Sequence, residues 1–340
     1  MKAAIFRAGD IVVGDFPEPK PAAGQVLVKT LACGICGSDL HAAQHAPRMV
    51  EMSKRVSGRI PMDLSRDVVF GHEFCCEVLD YGPETDRRMK PGARAVAMPV
   101  MPLSAETRTT IGYSNDYPGG YAERMVLAAP LLLDVPNGLP ADHAALTEPL
   151  AVGVHAVEKA ALVPEDVALV VGCGPVGLAV VIGLRLKGVR PIIAADFSPK
   201  RRELAAKMGA DVVIDPAKAT PYAKLPVGRR AVIFECVGVP GLLQQIFEAA
   251  PRDARIVIAG VCMEPDRLEP FFGIVKELAV QFVLGYTPEE FARCLRLLAE
   301  GQVDGQALIT GKVGLEGVKG AFAELANPER HTKILVEPWR

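Results

Sequence analysis

Three separated stretches of the chain carry residue types that bind metal ions. The first contains Cys33 and Cys36, the second is the pair His72 and Glu73, and the third contains Glu148. A thiolate, an imidazole and a carboxylate form a ligand set that zinc accepts, and a catalytic zinc keeps three protein ligands and one open position. We therefore take Cys36, His72 and a carboxylate as a candidate zinc site.

The spacing of these residues alone leaves other interpretations open. Cys33 and Cys36 form a C-x-x-C pair, which also occurs in zinc ribbons, but a ribbon needs a second such pair. The sequence has none, since Cys75 and Cys76 are adjacent. A single cysteine or histidine is most often a packed core residue.

A second chemical signal lies in the middle of the chain, where residues 172–177 match the pattern G-x-G-x-x-G. The first glycine permits a tight turn, the second lets the backbone approach a pyrophosphate, and the third lets helix and strand pack closely. The N-terminus of the following helix offers free N–H groups to phosphates. The candidate dinucleotide-binding residues of this loop are Gly172, Gly174, Pro175, Val176 and Gly177.

An acidic residue follows at the end of the next predicted strand. A carboxylate at Asp196 would bind the adenosine ribose hydroxyls and repel a 2′-phosphate, which favours NAD over NADP. Arg201 could instead attract a phosphate or stack on the adenine.

The elements that must position these residues differ along the chain. Up to about Pro140, short apolar runs broken by Gly and Pro indicate short strands and turns. Further on, strands alternate with helices, which predicts a parallel sheet covered on both faces. The predicted strands are 167–172, 191–196, 211–215, 231–237, 254–260, 278–284 and 333–336, and the predicted helices are 175–188, 199–209 and 291–300.

The composition excludes several classes of protein. The chain has 340 residues, of which 50% are hydrophobic and 23% charged, with a formal net charge of −2. Basic residues are not in excess, so the composition does not indicate binding to nucleic acid or to an anionic membrane. The apolar stretch 167–184 reads as a buried strand and helix rather than as a membrane span. Eight cysteines without a recognisable signal peptide predict a reducing, cytoplasmic location.

Six motifs in a fixed order resemble the zinc-containing medium-chain dehydrogenase/reductase superfamily, and most closely its sorbitol, butanediol and threonine dehydrogenase branch. The resemblance covers essentially the whole chain. The motifs are 36–41 (CGSDLH), 71–73 (GHE), 91–95 (PGARA), 119–123 (GGYAE), 148–151 (EPLA) and the glycine fingerprint.

The resemblance implies an α/β fold of two domains. A GroES-like, mostly-β barrel forms the catalytic domain from residues 1–149 and 284–340. A Rossmann domain with a doubly wound parallel sheet, residues 150–283, binds NAD. The active site is expected in the cleft, and the assembly is expected to be a homo-oligomer, either a dimer or a tetramer.

The resemblance also implies roles for individual residues. It places zinc on Cys36, His72 and Glu73, with Glu148 close to the metal and binding it directly or through water, so that the third ligand stays open. It assigns a proton relay to Ser38 and His41, while Asp39 orients the ligand histidine. The positions expected to contact the nicotinamide half of NAD are Val176, Ala259, Gly260, Val261, Val283, Leu284 and Gly285.

The sequence departs from the family in two respects. Relatives carry a structural zinc lobe with four cysteines where residues 96–118 contain none, which predicts one catalytic zinc and no structural site. Ala42 and Gly285 stand where sorbitol dehydrogenases carry an aromatic residue and an arginine, which favours a larger or less polar substrate. Segment 42–67 is expected to shape or cover the pocket, with a solvated loop as the alternative.

The sequence therefore predicts a zinc-dependent dehydrogenase that transfers hydride between a secondary alcohol or diol, or the matching ketone, and NAD. One alternative is a zinc-independent quinone or enone reductase of the same superfamily, but such members lack the residues found at Cys36, His72 and Glu73. A second is a non-catalytic NAD-binding protein, which would have no need of the relay residues Ser38 and His41.

Overall fold

The computed structural model describes residues 1–340, and the chain divides into two compact units. Unit 1 comprises Met1–Glu148 and Phe291–Arg340, and unit 2 comprises Pro149–Glu290. The sequence places the second boundary earlier, after residue 283. The chain instead stays with unit 2 through Glu290.

Unit 1 is built mainly from short strands in its N-terminal part. These elements are β1 (Lys2–Arg7), β2 (Asp10–Asp15), β3 (Gln25–Gly34), α1 (Gly37–Gln44), α2 (Ala46–Ser57), β4 (Glu73–Tyr81), β5 (Arg94–Ala97), β6 (Val100–Pro102), β7 (Arg108–Thr110), β8 (Arg124–Ala128), β9 (Leu132–Asp134) and α3 (Ala141–Ala144).

Strands and helices alternate in the middle of the chain. The elements there are α4 (Thr147–Lys159), β10 (Val167–Val171), α5 (Pro175–Leu186), β11 (Ile192–Ala195), α6 (Pro199–Met208), β12 (Val212–Ile214), β13 (Ala231–Glu235), α7 (Leu242–Ala249), β14 (Arg255–Ile258), α8 (Pro270–Lys276) and β15 (Ala279–Phe282). The C-terminal part contains α9 (Pro288–Ala299), α10 (Gly305–Leu308), β16 (Gly311–Val313), α11 (Val318–Leu325) and β17 (Ile334–Val336), and single 3₁₀ turns lie at Ala129–Leu131, Pro221–Lys224 and Leu315–Gly317.

The main sheet of unit 1 has seven strands, in the order β16-β17-β3-β4-β5-β9, with β8 also pairing with β3. The long strand β3 alternates between buried and half-buried residues, because one of its faces lies on the core. The C-terminal strand β17 runs antiparallel to β3 and pairs Leu335 with Gly34. The tail of the chain therefore reaches the end of β3, next to Cys36.

Unit 2 has a six-stranded parallel sheet in the order β12-β11-β10-β13-β14-β15. If its strands are numbered along the chain, this is the order 3-2-1-4-5-6 of a doubly wound dinucleotide-binding fold. Strands β10, β11 and β13 are buried on both faces, which explains their continuous Val, Ile and Ala runs.

The local patterns of unit 2 agree with this sheet, and each predicted strand there contains an observed one. The helix predicted to begin at residue 291 begins instead at Pro288. Pro288, Glu289 and Glu290 form a favourable first helical turn. Proline has no backbone N–H, but the N–H at this position would have no partner in the helix, and the carboxylates suit the positive end of the helix.

The expectation of strands and turns up to residue 140 is wrong for residues 37–57, which form α1 and α2. Helix α2 has Pro47 in its first turn and is followed by Gly58, whose φ of 70° lies in the left-handed region. Proline at the start and glycine past the end are common helix boundaries. Much of segment 42–67, for which a solvated loop was the alternative interpretation, is therefore helical. No helix of the chain has both the length and the apolar character needed to cross a membrane.

Candidate functional site

The turn before β4 places His72 and Glu73 against the end of β3. Gly71 has φ of 101°, and a Cβ atom there would lie 2.7 Å from the Tyr121 ring. Only glycine fits both the conformation and the space. The antiparallel register then pairs Glu73 with Gly34, two residues before Cys36.

Cys36 lies at the junction of β3 and α1. It is the N-cap residue of α1, and its backbone N–H donates to Oδ2 of Asp39 at 3.1 Å. The carboxylate in the first turn also suits the positive end of the helix. The half-buried thiol is therefore held by a defined helix start rather than by a free loop.

Three side chains meet at this point. Ligand atoms of Cys36, His72 and Glu73 all lie within 4.8 Å of one another, and His72 and Glu73 are buried. Sulfur, imidazole nitrogen and carboxylate oxygen are the donors that zinc prefers. The residues present therefore fit a zinc ion, with Cys36 facing the less buried side of the group.

Asp39 orients the histidine. Its Oδ1 lies 3.3 Å from Nδ1 of His72, an ion-pair distance without hydrogen-bond alignment, and its Oδ2 accepts a 2.7 Å hydrogen bond from Tyr121. Burial alone would raise the pKa of Asp39, but His72 and the hydrogen-bond donors lower it. Nδ1 of His72 faces the carboxylate, which leaves Nε2 for a metal.

Two buried tyrosine hydroxyls surround Asp39. Tyr113 donates to Oδ1 of Asp39 at 2.9 Å, and Tyr121 donates to Oδ2. Burial, together with the nearby Asp39 charge, raises the pKa of both phenols well above its usual value. Both therefore remain donors at neutral pH, and the carboxylate keeps its charge.

A buried lysine binds the carboxylate of Glu73. Nζ of Lys333 donates to Oε1 at 2.8 Å, to Oε2 at 2.6 Å and to the carbonyl oxygen of Ile35 at 3.0 Å. Glu73 also needs the bare backbone of Gly34, since a Cβ atom there would overlap Oε2. Lysine and glycine together determine where this carboxylate lies.

Charges around Lys333 keep it protonated. Burial alone would lower its pKa, but Glu73, Cys36 and Glu148 raise it. Glu148 is buried and near enough to act on Lys333, yet it lies outside the group of three ligand atoms. The structure thus brings Glu73 to Cys36 and His72 and leaves Glu148 as a neighbouring carboxylate.

The predicted relay residues, Ser38 and His41, lie one helical turn apart on α1, where residues i and i+3 share a face. Nδ1 of His41 is buried without a hydrogen-bond partner. Burial and the neighbouring His45 lower the pKa of His41.

Ala42, the residue after His41, is fully buried in the core of unit 1. It therefore adds no exposed surface, and its small size does not support the predicted change in the substrate pocket.

Two functional residues were not identified from the sequence. Lys333 was included only as the first residue of a predicted strand, and Tyr113 was not singled out at all. Lys333 begins the apolar run 333–336, and a lysine requires a partner once it is buried, but only the structure shows that Lys333 is buried. No local signal identifies that partner.

The glycine fingerprint lies in unit 2, at the carboxyl end of β10. Gly172 has φ of 91°, and a Cβ atom at Gly177 would overlap the carbonyl oxygen of Gly172. Helix α5 begins at Pro175 with Gly174 as its N-cap. The first turn of the helix is thus free of side-chain caps and open to an anion.

Asp196 follows β11 and lies against this loop. Its Oδ2 accepts a 2.7 Å hydrogen bond from the backbone N–H of Cys173, and Oδ1 accepts one from Ser198 at 2.8 Å. Nη1 of Arg201 lies 4.0 Å from Oδ2. The acidic residue and the arginine are therefore neighbours at the edge of the loop.

The remaining predicted cofactor positions follow the last two strands of the sheet. Carboxyl ends of parallel strands share one edge, where such sheets bind ligands. Ala259, Gly260 and Val261 follow β14, and Val283, Leu284 and Gly285 follow β15. All of them are in unit 2, at the same edge as the glycine loop.

Comparison with protein families matches both parts of the chain. Residues 22–137 match the alcohol dehydrogenase GroES-like domain, and residues 175–300 match the zinc-binding dehydrogenase family. The predicted fold class, a GroES-like domain with a Rossmann domain, is confirmed.

Individual relatives extend over nearly the whole length. (R,R)-butanediol dehydrogenase from Bacillus subtilis (strain 168) is 32% identical over 99% of this chain and 100% of its own. The crystal structure of 2R,3R-butanediol dehydrogenase from Bacillus subtilis, 31% identical, has a TM-score of 0.84 and covers 99% of each chain.

Two further proteins are similar at lower identity. Sorbitol dehydrogenase from Bos taurus is 27% identical over 95% of this chain and 92% of its own. A structure from Sinorhizobium meliloti 1021, described as a candidate zinc-binding dehydrogenase bound to NADP, is 28% identical, has a TM-score of 0.83 and covers 99% of each chain. The chain thus belongs, as the motifs predict, to the zinc-containing medium-chain dehydrogenase/reductase superfamily, in its sorbitol and butanediol dehydrogenase branch.

Proposed function

We propose that this chain is a zinc-dependent dehydrogenase that transfers hydride between a secondary alcohol or diol, or the matching ketone, and NAD. Its family makes it an oxidoreductase that acts on CH–OH groups. The observation that carries the proposal is the convergence of Cys36, His72 and Glu73 within 4.8 Å in a chain that also has a dinucleotide-binding fingerprint.

Cys36, His72 and Glu73 would hold the zinc ion. When bound, zinc supplies Lewis-acid polarisation of the alcohol oxygen, and the nicotinamide accepts the hydride. We assign Glu73 as the third ligand because it belongs to the compact group, and we assign Glu148 a position beside it. Lys333 balances the charge of Glu73, because its ammonium contacts both carboxylate oxygens.

Ser38 and His41 would move the proton that the alcohol loses. A serine hydroxyl can accept one proton and donate another, so it suits the inner position. His41 has a lowered pKa and an unpartnered Nδ1, so it is neutral and able to accept a proton at neutral pH. We assign Asp39 the separate role of orienting the ring of His72.

We propose NAD as the cofactor, in preference to NADP. Asp196 is anchored by two backbone N–H groups, so its charge stays at the edge of the glycine loop and would repel a 2′-phosphate. Arg201 lies on the same edge and could stack on the adenine. The proposed contacts of the nicotinamide half remain Val176, Ala259, Gly260, Val261, Val283, Leu284 and Gly285.

We further propose one zinc ion per chain. Residues 96–118 contain no cysteine. They contain β6 and β7, which pair as a two-stranded sheet. A structural zinc site needs four ligands, usually cysteine or histidine, and this segment supplies none.

The assembly we propose is a homo-oligomer that pairs through β15. This strand lies at the edge of the parallel sheet, and all four of its residues are exposed, including Phe282. An exposed apolar edge is a template for strand pairing with another chain. We also propose a reducing compartment, the cytoplasm, because the eight cysteines form no disulfide bond.

Purified protein tests the function directly. We expect about one zinc per chain by elemental analysis and reduction of NAD in a screen of diols, polyols, cyclic alcohols and aryl-alkyl alcohols. Gly285 lacks a side chain and a Cβ atom there would meet open space, which favours bulky substrates over sugar alcohols. Turnover of enones or quinones by metal-free protein would contradict the proposal.

A further inference from the structure

The hydroxyl of Tyr113 links the two halves of the candidate active site of unit 1. Its oxygen lies 2.9 Å from Oγ of Ser38 and 2.9 Å from Oδ1 of Asp39. Ser38 is the proposed inner residue of the proton path, and Asp39 orients the metal ligand His72. One phenol therefore contacts both the path and the support of the metal.

The backbone around Tyr113 is held firmly in place. Tyr113 follows Gly112, whose φ of 88° brings it close to the backbone of Gly71. The side chain of Asn115 accepts from the N–H of Asp63 at 2.7 Å and donates to its carbonyl oxygen at 3.0 Å. The phenol thus projects from an anchored turn.

The two acceptors depend on Tyr113 to different degrees. Asp39 also accepts from Tyr121 at 2.7 Å and from the backbone of Cys36 at 3.1 Å, so it keeps donors without Tyr113. The hydroxyl of Ser38 makes one hydrogen bond to the protein, and Tyr113 is that partner. Loss of the phenol oxygen would free Ser38 while leaving Asp39 supported.

We propose that Tyr113 is a positioning residue that holds the hydroxyl of Ser38 at the start of the proton path. This rests on the proposed function of Ser38. The hydrogen that Tyr113 shares between Oγ of Ser38 and Oδ1 of Asp39 fixes the Ser38 rotamer, and the hydrogen of Ser38 itself is then available to pass onward. Because a phenol has one hydrogen, Asp39 and Ser38 share it, and the bonds of Asp39 to Tyr121 and Cys36 make that sharing possible.

The test is Tyr113→Phe, which keeps the buried ring and removes only the oxygen. We expect kcat for alcohol oxidation to fall about tenfold or more, because proton transfer by a positioned group contributes on the order of 100-fold or more. Zinc content and KM for NAD should stay at wild-type values. The solvent deuterium isotope effect on kcat should rise, since the proton step becomes more limiting.

Tyr121→Phe is the matched control, because it removes a hydrogen bond to Asp39 and none to Ser38. If Tyr113 acted only through Asp39, both variants would change zinc content and kcat alike. We expect instead that only Tyr113→Phe raises the isotope effect. Equal behaviour of the two variants would overturn the proposal.

A double-mutant cycle with Ser38→Ala tests the coupling. If Tyr113 acts through Ser38, the double variant should be no slower than Ser38→Ala alone, whereas independent effects would multiply and refute the proposal. Suppose that the wild-type protein binds zinc and turns over alcohol, and that Tyr113→Phe has the same kcat. That result would overturn the role of Tyr113 but leave the proposed function standing. Wild-type protein without zinc or alcohol turnover would overturn the proposed function and this inference with it.

Discussion

Nζ of Lys333 lies 2.6 Å from Oε2 of Glu73, although 260 residues separate them in the chain. Both side chains are almost fully buried, with 2% of Lys333 and 1% of Glu73 exposed. The contact exists because β17 pairs with β3, so that Lys333 reaches the strand end that carries the candidate zinc ligands. This ion pair connects the C-terminal tail to the catalytic site.

Removal of the lysine should destabilise the zinc-free protein. Lys333→Met leaves the buried Glu73 without its cation, and breaking a buried pair in this way costs about 3–5 kcal/mol. Zinc should restore part of this loss, because the metal replaces the ammonium. Urea unfolding of unit 1 with and without zinc measures both effects. Lys319→Met, which removes an exposed partner of Asp10, is the control and should unfold as the wild type does.

A methyl group at Gly34 should displace Glu73. In Gly34→Ala the new Cβ atom would overlap Oε2 of Glu73, so the carboxylate must leave Lys333 or the strands must separate. We expect zinc affinity to fall by about tenfold or more, as for other losses of ligand support. Chelator competition measures it. The control is Gly320→Ala, where a Cβ atom meets nothing within 4 Å, and it should bind zinc as the wild type does. Equal zinc affinity of the two variants would contradict the assignment of Glu73 as a ligand.

Loss of the thiol should abolish zinc binding and turnover together. Cys36→Ser replaces the sulfur ligand with a hydroxyl, which zinc binds far less well. We expect no bound zinc by elemental analysis and nearly no NAD reduction, with an unchanged circular dichroism spectrum and unchanged NAD binding. Cys262→Ser, in unit 2, should retain its zinc. Full activity of metal-free Cys36→Ser would rule out the proposed site.

Neutralising Asp196 should relax the choice of cofactor. Asp196→Asn keeps an oxygen for the N–H of Cys173 but removes the charge that opposes a 2′-phosphate. We expect the NADP-to-NAD ratio of kcat/KM to rise by about tenfold, which corresponds to about 1.4 kcal/mol. Glu203→Gln is the control for lost negative charge on the same unit. An unchanged ratio in Asp196→Asn would remove Asp196 as the selector.

Unit 2 should become less stable in acid, because protonation of Asp166 weakens its ion pair with Arg230. This buried carboxylate accepts 2.8 and 2.6 Å hydrogen bonds from Arg230. Burial alone would raise its pKa, but the bond to Arg230 lowers it overall. A carboxyl group whose pKa is lower in the folded than in the unfolded protein stabilises the fold at any pH above its unfolded pKa. This contribution is lost as the pH falls through the pKa of the folded state.

The comparison with Asp166→Asn isolates this contribution. The variant should be less stable than the wild type at pH 7, and the difference should shrink as the pH falls through and below about 4, near the unfolded pKa of aspartate. Urea midpoints of the two proteins from pH 7 downward measure the difference. Parallel curves over the whole range would show that the pair has no pH-linked role.

Local patterns in the sequence are sufficient to predict the dinucleotide-binding unit. Buried strands of a parallel sheet are continuous apolar runs, and the glycine fingerprint marks the turn from β10 to α5, so type and order follow from neighbouring residues. The ends of strands differ by a few residues, and the helix at Pro288 begins earlier than expected. Helix α1 was not predicted because it has eight residues and a weak periodic pattern, whereas Pro47 and Gly58 mark the two ends of α2 and could have identified that helix.

By itself, the sequence determined the family, the fold class and the types of ligand, because these depend on motifs of adjacent residues. The tertiary structure decided which side chains meet. Pairing of β17 with β3 and of Gly34 with Glu73 puts Lys333 on the carboxylate, and the anchored turn at Gly112 puts Tyr113 on Ser38. Such contacts join residues far apart in the chain, and strand register and backbone geometry, rather than any local pattern, set the distances between them.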